Sequence, residues 1–203
     1  MNPRHDRWLG RAPRERIECD GLTLRCYTPD DAAVLARAVA DSFDHLRPFM
    51  AWTRHGIPTV EQERELIAEW NSGWDGLTEF TMGIFEGDAL VGSTGYHLRH
   101  GVGVLEIGYW VAASRKNRGI ATRVARVLVD EAFSIDGVES VVIFHDERNV
   151  ASGRIPEKLG FRPVARHDRA EHPVFSQVDR AESDSSVLVE WRIGRAEWSA
   201  RSA

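Results

Sequence analysis

Apolar residues recur along the chain in two rhythms, and each marks a different kind of element. Leu66, Ile67, Trp70 and Trp74 fall on one helical face, behind Thr59 and Gln62 spaced as a capping box. Ile120, Val124, Val127 and Leu128 predict a second amphipathic helix, running to about Phe133. Residues 79–85, 89–97 and 104–111 read instead as strands, separated by Glu86-Gly87-Asp88 and by the Gly101/Gly103 break, and an antiparallel meander is their simplest arrangement. Ahead of them, residues 17–19 and 22–27 flank Asp20-Gly21, a favourable two-residue hairpin turn. Thr28-Pro29-Asp30-Asp31 opens a helix expected to end near Ala40, with threonine at the cap, proline next and acids in the first turn.

Beyond the central helix, residues 141–144 read as a short buried strand. A helix then stops at Leu159-Gly160, a strand starts at Phe161, and residues 187–193 supply the last strand. Strand, helix, strand, helix, strand implies a parallel crossover. The expected fold is α/β (α+β), one domain over residues 17–203 with a mixed, mostly antiparallel sheet flanked by helices. Residues 1–16, with five arginines, read as a flexible arm, and residues 166–186 as a long charged connector, either of the kind that is often functional or an ordinary variable surface loop.

Composition removes several classes of function. With 203 residues and 42% hydrophobic side chains the chain can build a core, and no apolar run approaches the roughly 20 residues that cross a bilayer. No membrane partner is expected. Cys19 and Cys26 form neither a disulfide framework nor a metal-spaced set, so a reducing cytoplasm is the expected location. His97 and His100, three apart and read with strand alternation carried past residue 97, should point to opposite faces, so no metal site is expected. A net charge of −5 argues against nucleic acid as a partner, but it conceals an asymmetry: residues 111–129 carry Arg115, Lys116, Arg118, Arg123 and Arg126 and no acid.

That cluster matters because of where it lies. Cations at a helix start oppose the helix dipole, at a cost of up to about 1 kcal/mol each. A bound di- or polyphosphate reverses the sign, accepting from the free N–H groups of Asn117, Arg118, Gly119, Ile120, Ala121 and Thr122 while the side chains neutralise it. A solvated basic helix face is the plainer alternative. The sequence lacks a nucleotide P-loop, and Gly101-Val102-Gly103 does not extend to a dinucleotide fingerprint.

Glu106-Ile107-Gly108-Tyr109-Trp110-Val111, Lys116-Asn117-Arg118-Gly119-Ile120-Ala121-Thr122, Asn149-Val150-Ala151-Ser152 and Glu157-Lys158-Leu159-Gly160-Phe161 together resemble the GNAT acetyltransferases. With Leu46-Arg47-Pro48-Phe49-Met50-Ala51-Trp52 they look most like the Rim-type branch, which acetylates the N-terminal alanine of ribosomal proteins. The resemblance spans roughly residues 22–195. It departs from the family pattern at Lys116, where glutamine or arginine is usual, keeping the charge but losing the planar fork. The resemblance implies a sheet splayed between two central parallel strands, with acetyl-CoA as co-substrate. Its pyrophosphate would lie on residues 116–122 and its pantetheine along the strand ending at Trp110 and Val111, where Asn149 would hydrogen-bond it.

Acetyl transfer needs a neutral amine, a donor for the oxyanion and a proton for the departing thiolate. An α-amine is about a tenth neutral at pH 7 and a lysine amine under a thousandth, a gap of roughly 3.5 kcal/mol that favours α-amines. The resemblance implies Glu106 as base, through water, and Ser152 as general acid. Strand alternation independently puts Glu106 on the face opposite Leu105, Ile107 and Tyr109. An exposed strand carboxylate and a first-turn helix residue are the plainer alternatives for these two, and a helix cap is the plainer role for Asn149. Pro156 should distort the start of the helix that follows Asn149 or delay it. Phe49, Trp52 and the connector would border the acceptor cleft by analogy, with a place in the core the plainer alternative for Trp52. The acceptor stays open between a protein N-terminus and a small amine, such as an antibiotic or a polyamine. A catalytically silent acyl-CoA-binding module is the alternative of another class, and monomer and homodimer are both compatible.

Overall fold

The computed structural model describes residues 8, 10–175, 185 and 187–202. Asp20 and Gly21 both take positive φ, 45° and 81°, the local twist that a two-residue hairpin needs. They join β1 (Arg16–Cys19) to β2 (Leu22–Arg25). A 3₁₀ turn at Pro29–Asp31 then leads into α1 (Ala32–Leu46), which runs past its expected end at Ala40 because Ser42 and Leu46 prolong its buried face. α2 (Val60–Asp75) starts at the expected capping box: Gln62 N donates to Thr59 Oγ1 at 3.2 Å, and Thr59 N to Gln62 Oε1 at 2.8 Å.

β3 (Glu79–Glu86), β4 (Ala89–His97) and β5 (Val104–Val111) form the antiparallel meander. After α3 (Ile120–Ser134), β6 (Ser140–Asp146) lies parallel to β5. The chain continues through α4 (Val150–Leu159), β7 (Arg162–Asp168), β8 (Val187–Gly194) and α5 (Arg195–Ser202), a helix the apolar pattern did not announce. The strand order is β1-β2-β3-β4-β5-β6-β8-β7, so β8 inserts between β6 and β7, antiparallel to both. The crossover through α4 therefore does not set β7 beside β6.

The sheet buries both faces. Leu105, Ile107, Val141 and Ile143 pack with Val124 and Leu128 of α3. On the other face Tyr27, Phe85 and Leu90 meet Leu35, Val39 and Ile67 of α1 and α2. Pro156 neither delays α4 nor interrupts it; Asn149 Oδ1 caps the helix by accepting from Ser152 N at 3.1 Å. What the proline removes is the bond to the carbonyl of Ser152, which the Tyr109 hydroxyl approaches at 3.5 Å.

The segment expected to be a flexible arm, residues 1–16, falls partly outside the described residues. Its described part is anchored: Trp8 packs edge-on against Phe80 at 6.0 Å, and Arg11 and Arg14 bind Glu131 of α3 at 3.0 and 2.6 Å. The Glu131 side chain is 1% exposed, so these arginines neutralise a carboxylate that water does not reach. Replacing both Arg11 and Arg14 with alanine strands that charge with the Arg14 main-chain N–H, 3.0 Å away, as its remaining donor. The expected loss is about 3 kcal/mol in urea unfolding at pH 7, largely recovered by adding Glu131→Gln.

Candidate active site

α1, α2 and a 3₁₀ turn at Ala51–His55 stand over one face of β3, β4 and β5. Strand register sets Thr81, Gly95 and Gly108 side by side on that face, next to the row Gly83, Ser93 and Trp110. Five of these six side chains are small or absent, so the helices close over a hollow, a cleft of about 720 Å³. Phe49 and Trp52 line it, with Trp52 41% exposed.

Glu106 projects into the cleft from β5, on the face that strand alternation gave it, and is 4% exposed. Arg99 grips it with two hydrogen bonds, Nε to Oε2 at 2.7 Å and Nη2 to Oε1 at 2.5 Å, and His100 Nε2 lies 2.5 Å from Oε2. Burial alone would raise the carboxyl's pKa; the hydrogen bonds from Arg99 and His100 overcome it and hold the group well below the usual carboxylate range. The two histidines do not diverge as expected. β4 ends at His97, and the turn that follows brings His100 to the same carboxylate, while His97 pairs with Glu79 at 3.3 Å and faces Glu106 across the strands. Alternation applies only while the strand lasts.

Residues 169–175 of the expected connector fold onto this end of the cleft; residues 176–184 and 186 lie outside the described set. His100 stacks on Phe144 at 4.8 Å, and His172 and Phe175 pack around the same ring at 5.5 and 5.0 Å. Among the described residues no group of three or more histidine, cysteine or acidic side chains is placed to hold a metal.

On the opposite sheet face the Ser152 hydroxyl lies 3.5 Å from that of Tyr109. Burial pushes the Tyr109 phenol up to about 12, so it stays protonated at neutral pH and serves as a donor. Asn149 reaches the cleft while capping α4, so its two candidate roles are compatible. β5 and β6 pair only at Val104–Ser140, Leu105–Val141 and Glu106–Val142; beyond Glu106 they part.

The basic segment follows directly. Gly119 is the N-cap of α3 at φ 72°, with no side-chain cap, and an added Cβ there would meet nothing within 4 Å. Asn117 also takes a positive φ, 60°. Ile120 is buried and fixes the helix start, whereas Lys116, Asn117 and Arg118 are exposed and Ala121 and Thr122 half-buried. The cations are less isolated than the sequence suggested, because Glu86 in the β3–β4 hairpin binds Arg115 at 3.2 Å and Arg118 at 3.1 Å.

Sequence reasoning missed Arg99, His100, Tyr109 and Glu63. Tyr109 was signalled by its place opposite Glu106 in the strand alternation, and Glu63 by the α2 stripe, which extended back four residues from Ile67 lands on a glutamate. Glu63 is 3% exposed, and its Oε2 has no hydrogen-bond partner.

A family model described as Acetyltransferase (GNAT) domain matches residues 21–162. YdaF of Bacillus subtilis, named as a ribosomal N-acetyltransferase, is 26% identical over 141 residues, 69% of this chain and 77% of YdaF. Among solved structures, RimL, a ribosomal L7/L12 α-N-protein acetyltransferase in complex with coenzyme A, superposes with a TM-score of 0.76 at 17% identity, covering 89% of this chain and 98% of its own. The microcin C7 self-immunity acetyltransferase MccE, in complex with acetyl-CoA and AMP, gives 0.75 at 18%, covering 86% and 93%. At these identities the two structures establish likeness of fold.

Burial pushes the Glu63 carboxyl up to about 7. A carboxyl whose pKa is raised on folding holds its proton more tightly in the native state, so its contribution is fully present below the unfolded value and declines as pH rises toward 7. The native protein should therefore lose about 2 kcal/mol between pH 4.5 and pH 8 through this group, a figure reduced for residual solvent contact. Urea unfolding of Glu63→Gln should lack that decline and show a variant at least as stable as the parent at pH 8.

Proposed function

The chain belongs to the GNAT acetyltransferase family and is an N-acetyltransferase, and from that premise we propose that it moves acetyl from acetyl-CoA to a protein N-terminal α-amine by direct attack in a ternary complex. The observation that carries the reading is the parting of β5 and β6 beyond Glu106, beside the uncapped start of α3. Strands that stop pairing leave main-chain groups of residues 107–111 without a ladder partner, and an extended pantetheine arm with amides of its own satisfies such an edge. The N–H groups of residues 117–122 then receive the pyrophosphate, with Lys116 and Arg118 at its flank and Gly119 giving close approach. Asn149 hydrogen-bonds the arm. RimL with coenzyme A and MccE with acetyl-CoA support this placement by likeness of fold. Two free cysteines fit a reducing cytoplasm.

The chemistry follows from what faces the parted strands. Main-chain N–H groups near Trp110 or Val111 stabilise the oxyanion. Because Arg99 keeps Glu106 ionised, the proton leaving the amine passes to the His100–Glu106 pair, directly or through water; this modifies the expectation that Glu106 acts as base by itself. Ser152, next to the protonated Tyr109, supplies the departing thiolate with its proton. Phe49 and Trp52 border the acceptor.

A thiol-release assay with acetyl-CoA against α-amino peptides, lysine peptides, aminoglycosides and polyamines tests the class of acceptor, and α-amino peptides should turn over fastest. Glu106→Gln should lower kcat by about a hundredfold or more with coenzyme A affinity unchanged by calorimetry; a variant at full rate would mean the proton goes elsewhere. Gly119→Val places a β-branched residue at positive φ, and its coenzyme A affinity should fall at least about tenfold while the fold survives.

A further inference from the structure

Glu63 is a buried ionisable group that the chemistry above leaves idle. Asp31, Glu106, Glu131 and Glu190 are also buried and each meets an arginine, while buried Asp146 accepts from the main-chain N–H groups of Arg148 and Ser185. Glu63 lines the cleft with its Oε2 unpartnered, on α2 about two turns before Trp70, which also lines it. A buried carboxyl oxygen left without a partner on a cavity wall costs free energy that a bound hydrogen-bond donor would recover.

The surroundings narrow the nature of that donor. Trp70 lies 5.2 Å from the Tyr27 ring and Trp52 lies 6.4 Å from Trp110, and all three tryptophans line the cleft with Phe49. Aromatic faces attract an organic cation through the ring quadrupole, and a carboxyl supplies its counter-charge. Position separates this corner from the reacting atoms. Trp70 and Trp110 pack on the same apolar cluster around Tyr27, and Trp110 faces Ser93; His97, which faces Glu106, is four residues further along β4, about 13 Å at the usual rise. The attacking amine must also be neutral, and a carboxylate gripping it would keep it protonated. The cation at Glu63 is therefore a different group from the nucleophile.

We propose that Glu63 is an acceptor-recognition residue, seating a second, cationic group of the acceptor at the tryptophan-lined end of the cleft while the primary amine is presented at the Glu106 end. The acceptor class is a molecule with two separated amines, or a peptide with a lysine or arginine close behind its amino terminus. The inference rests on the acetyl-transfer reading for its kinetics but not for its binding test.

The experiment compares kcat/KM within two matched pairs: Ala-Lys-Ala amide against Ala-norleucine-Ala amide, and 1,8-diaminooctane against 1-aminooctane. The wild type should favour the dicationic member at least about tenfold in one pair, which also tells peptide from small polyamine. Glu63→Gln should bring that ratio close to one, and Glu63→Asp should restore part of it. Because Glu63→Gln is expected to fold at least as well as the parent at pH 8, lost discrimination would not report unfolding. A wild-type ratio near one in both pairs, or a ratio that Glu63→Gln leaves intact, overturns the proposal. Should no amine release thiol, the acetyl-transfer reading fails separately and calorimetry with the two dications decides: binding that weakens tenfold or more in Glu63→Gln upholds the site, and absent or equal binding removes it.

Discussion

Three register pairs join the two halves of this sheet: Val104–Ser140, Leu105–Val141 and Glu106–Val142. On one side of that seam lies an antiparallel meander, on the other the β6-β8-β7 group, and beyond Glu106 the two diverge. The seam holds because Leu105, Ile107, Val141 and Ile143 share a core with α3, so side-chain packing beneath the sheet replaces the missing ladder bonds above the third pair. The rest of the site is arranged around this opening. In the proposed function the parted edges accept an extended ligand, α3 starts where that ligand's anionic end would lie, and the small residues on the far face leave room for a second reactant.

The buried carboxylates divide structural from chemical roles. Glu131 is neutralised by Arg11 and Arg14 and ties the amino-terminal segment to α3. Asp31, held by Arg25 at 2.7 Å and by Thr28 N at 2.7 Å, fixes the entry to α1. Glu106 is equally well paired, but it and its partner Arg99 line a cleft, so the same electrostatics sets a charged cluster of fixed geometry against that space. Glu63 alone in this comparison lacks a cation. In a low-dielectric interior an uncompensated carboxyl is costly to keep, which is why its neutral form is favoured on folding and why a ligand bringing positive charge would be held there.

Much of the fold was legible because it rests on local rules. The Asp20-Gly21 turn, the Thr59–Gln62 box and the Gly160 stop each depend on backbone conformation or a bond within a few residues, and each stands where the pattern put it. The side of β5 that carries Glu106 followed from alternation alone. Where a local rule was carried too far, the reading failed: His100 lies past the end of β4, so alternation did not govern it. α5 escaped because its burial rests on Trp198, whose indole N–H donates to Asp130 at 2.7 Å, a contact between residues far apart in sequence. The place of β8 between β6 and β7 escaped for the same reason, since strand order is set by long-range pairing.

By itself, then, the sequence determined the elements, the faces of the amphipathic ones, the basic helix start and its Gly119, because periodicity, turn chemistry and net charge act over a few residues. The tertiary structure decided what those residues meet: that Glu86 shares the cations ahead of Gly119, that Arg99 and His100 occupy Glu106, and that Glu63 is buried without a partner. Proton affinity and binding depend on the groups within a few ångströms of an atom, and here folding assembles those groups from elements distant in the chain.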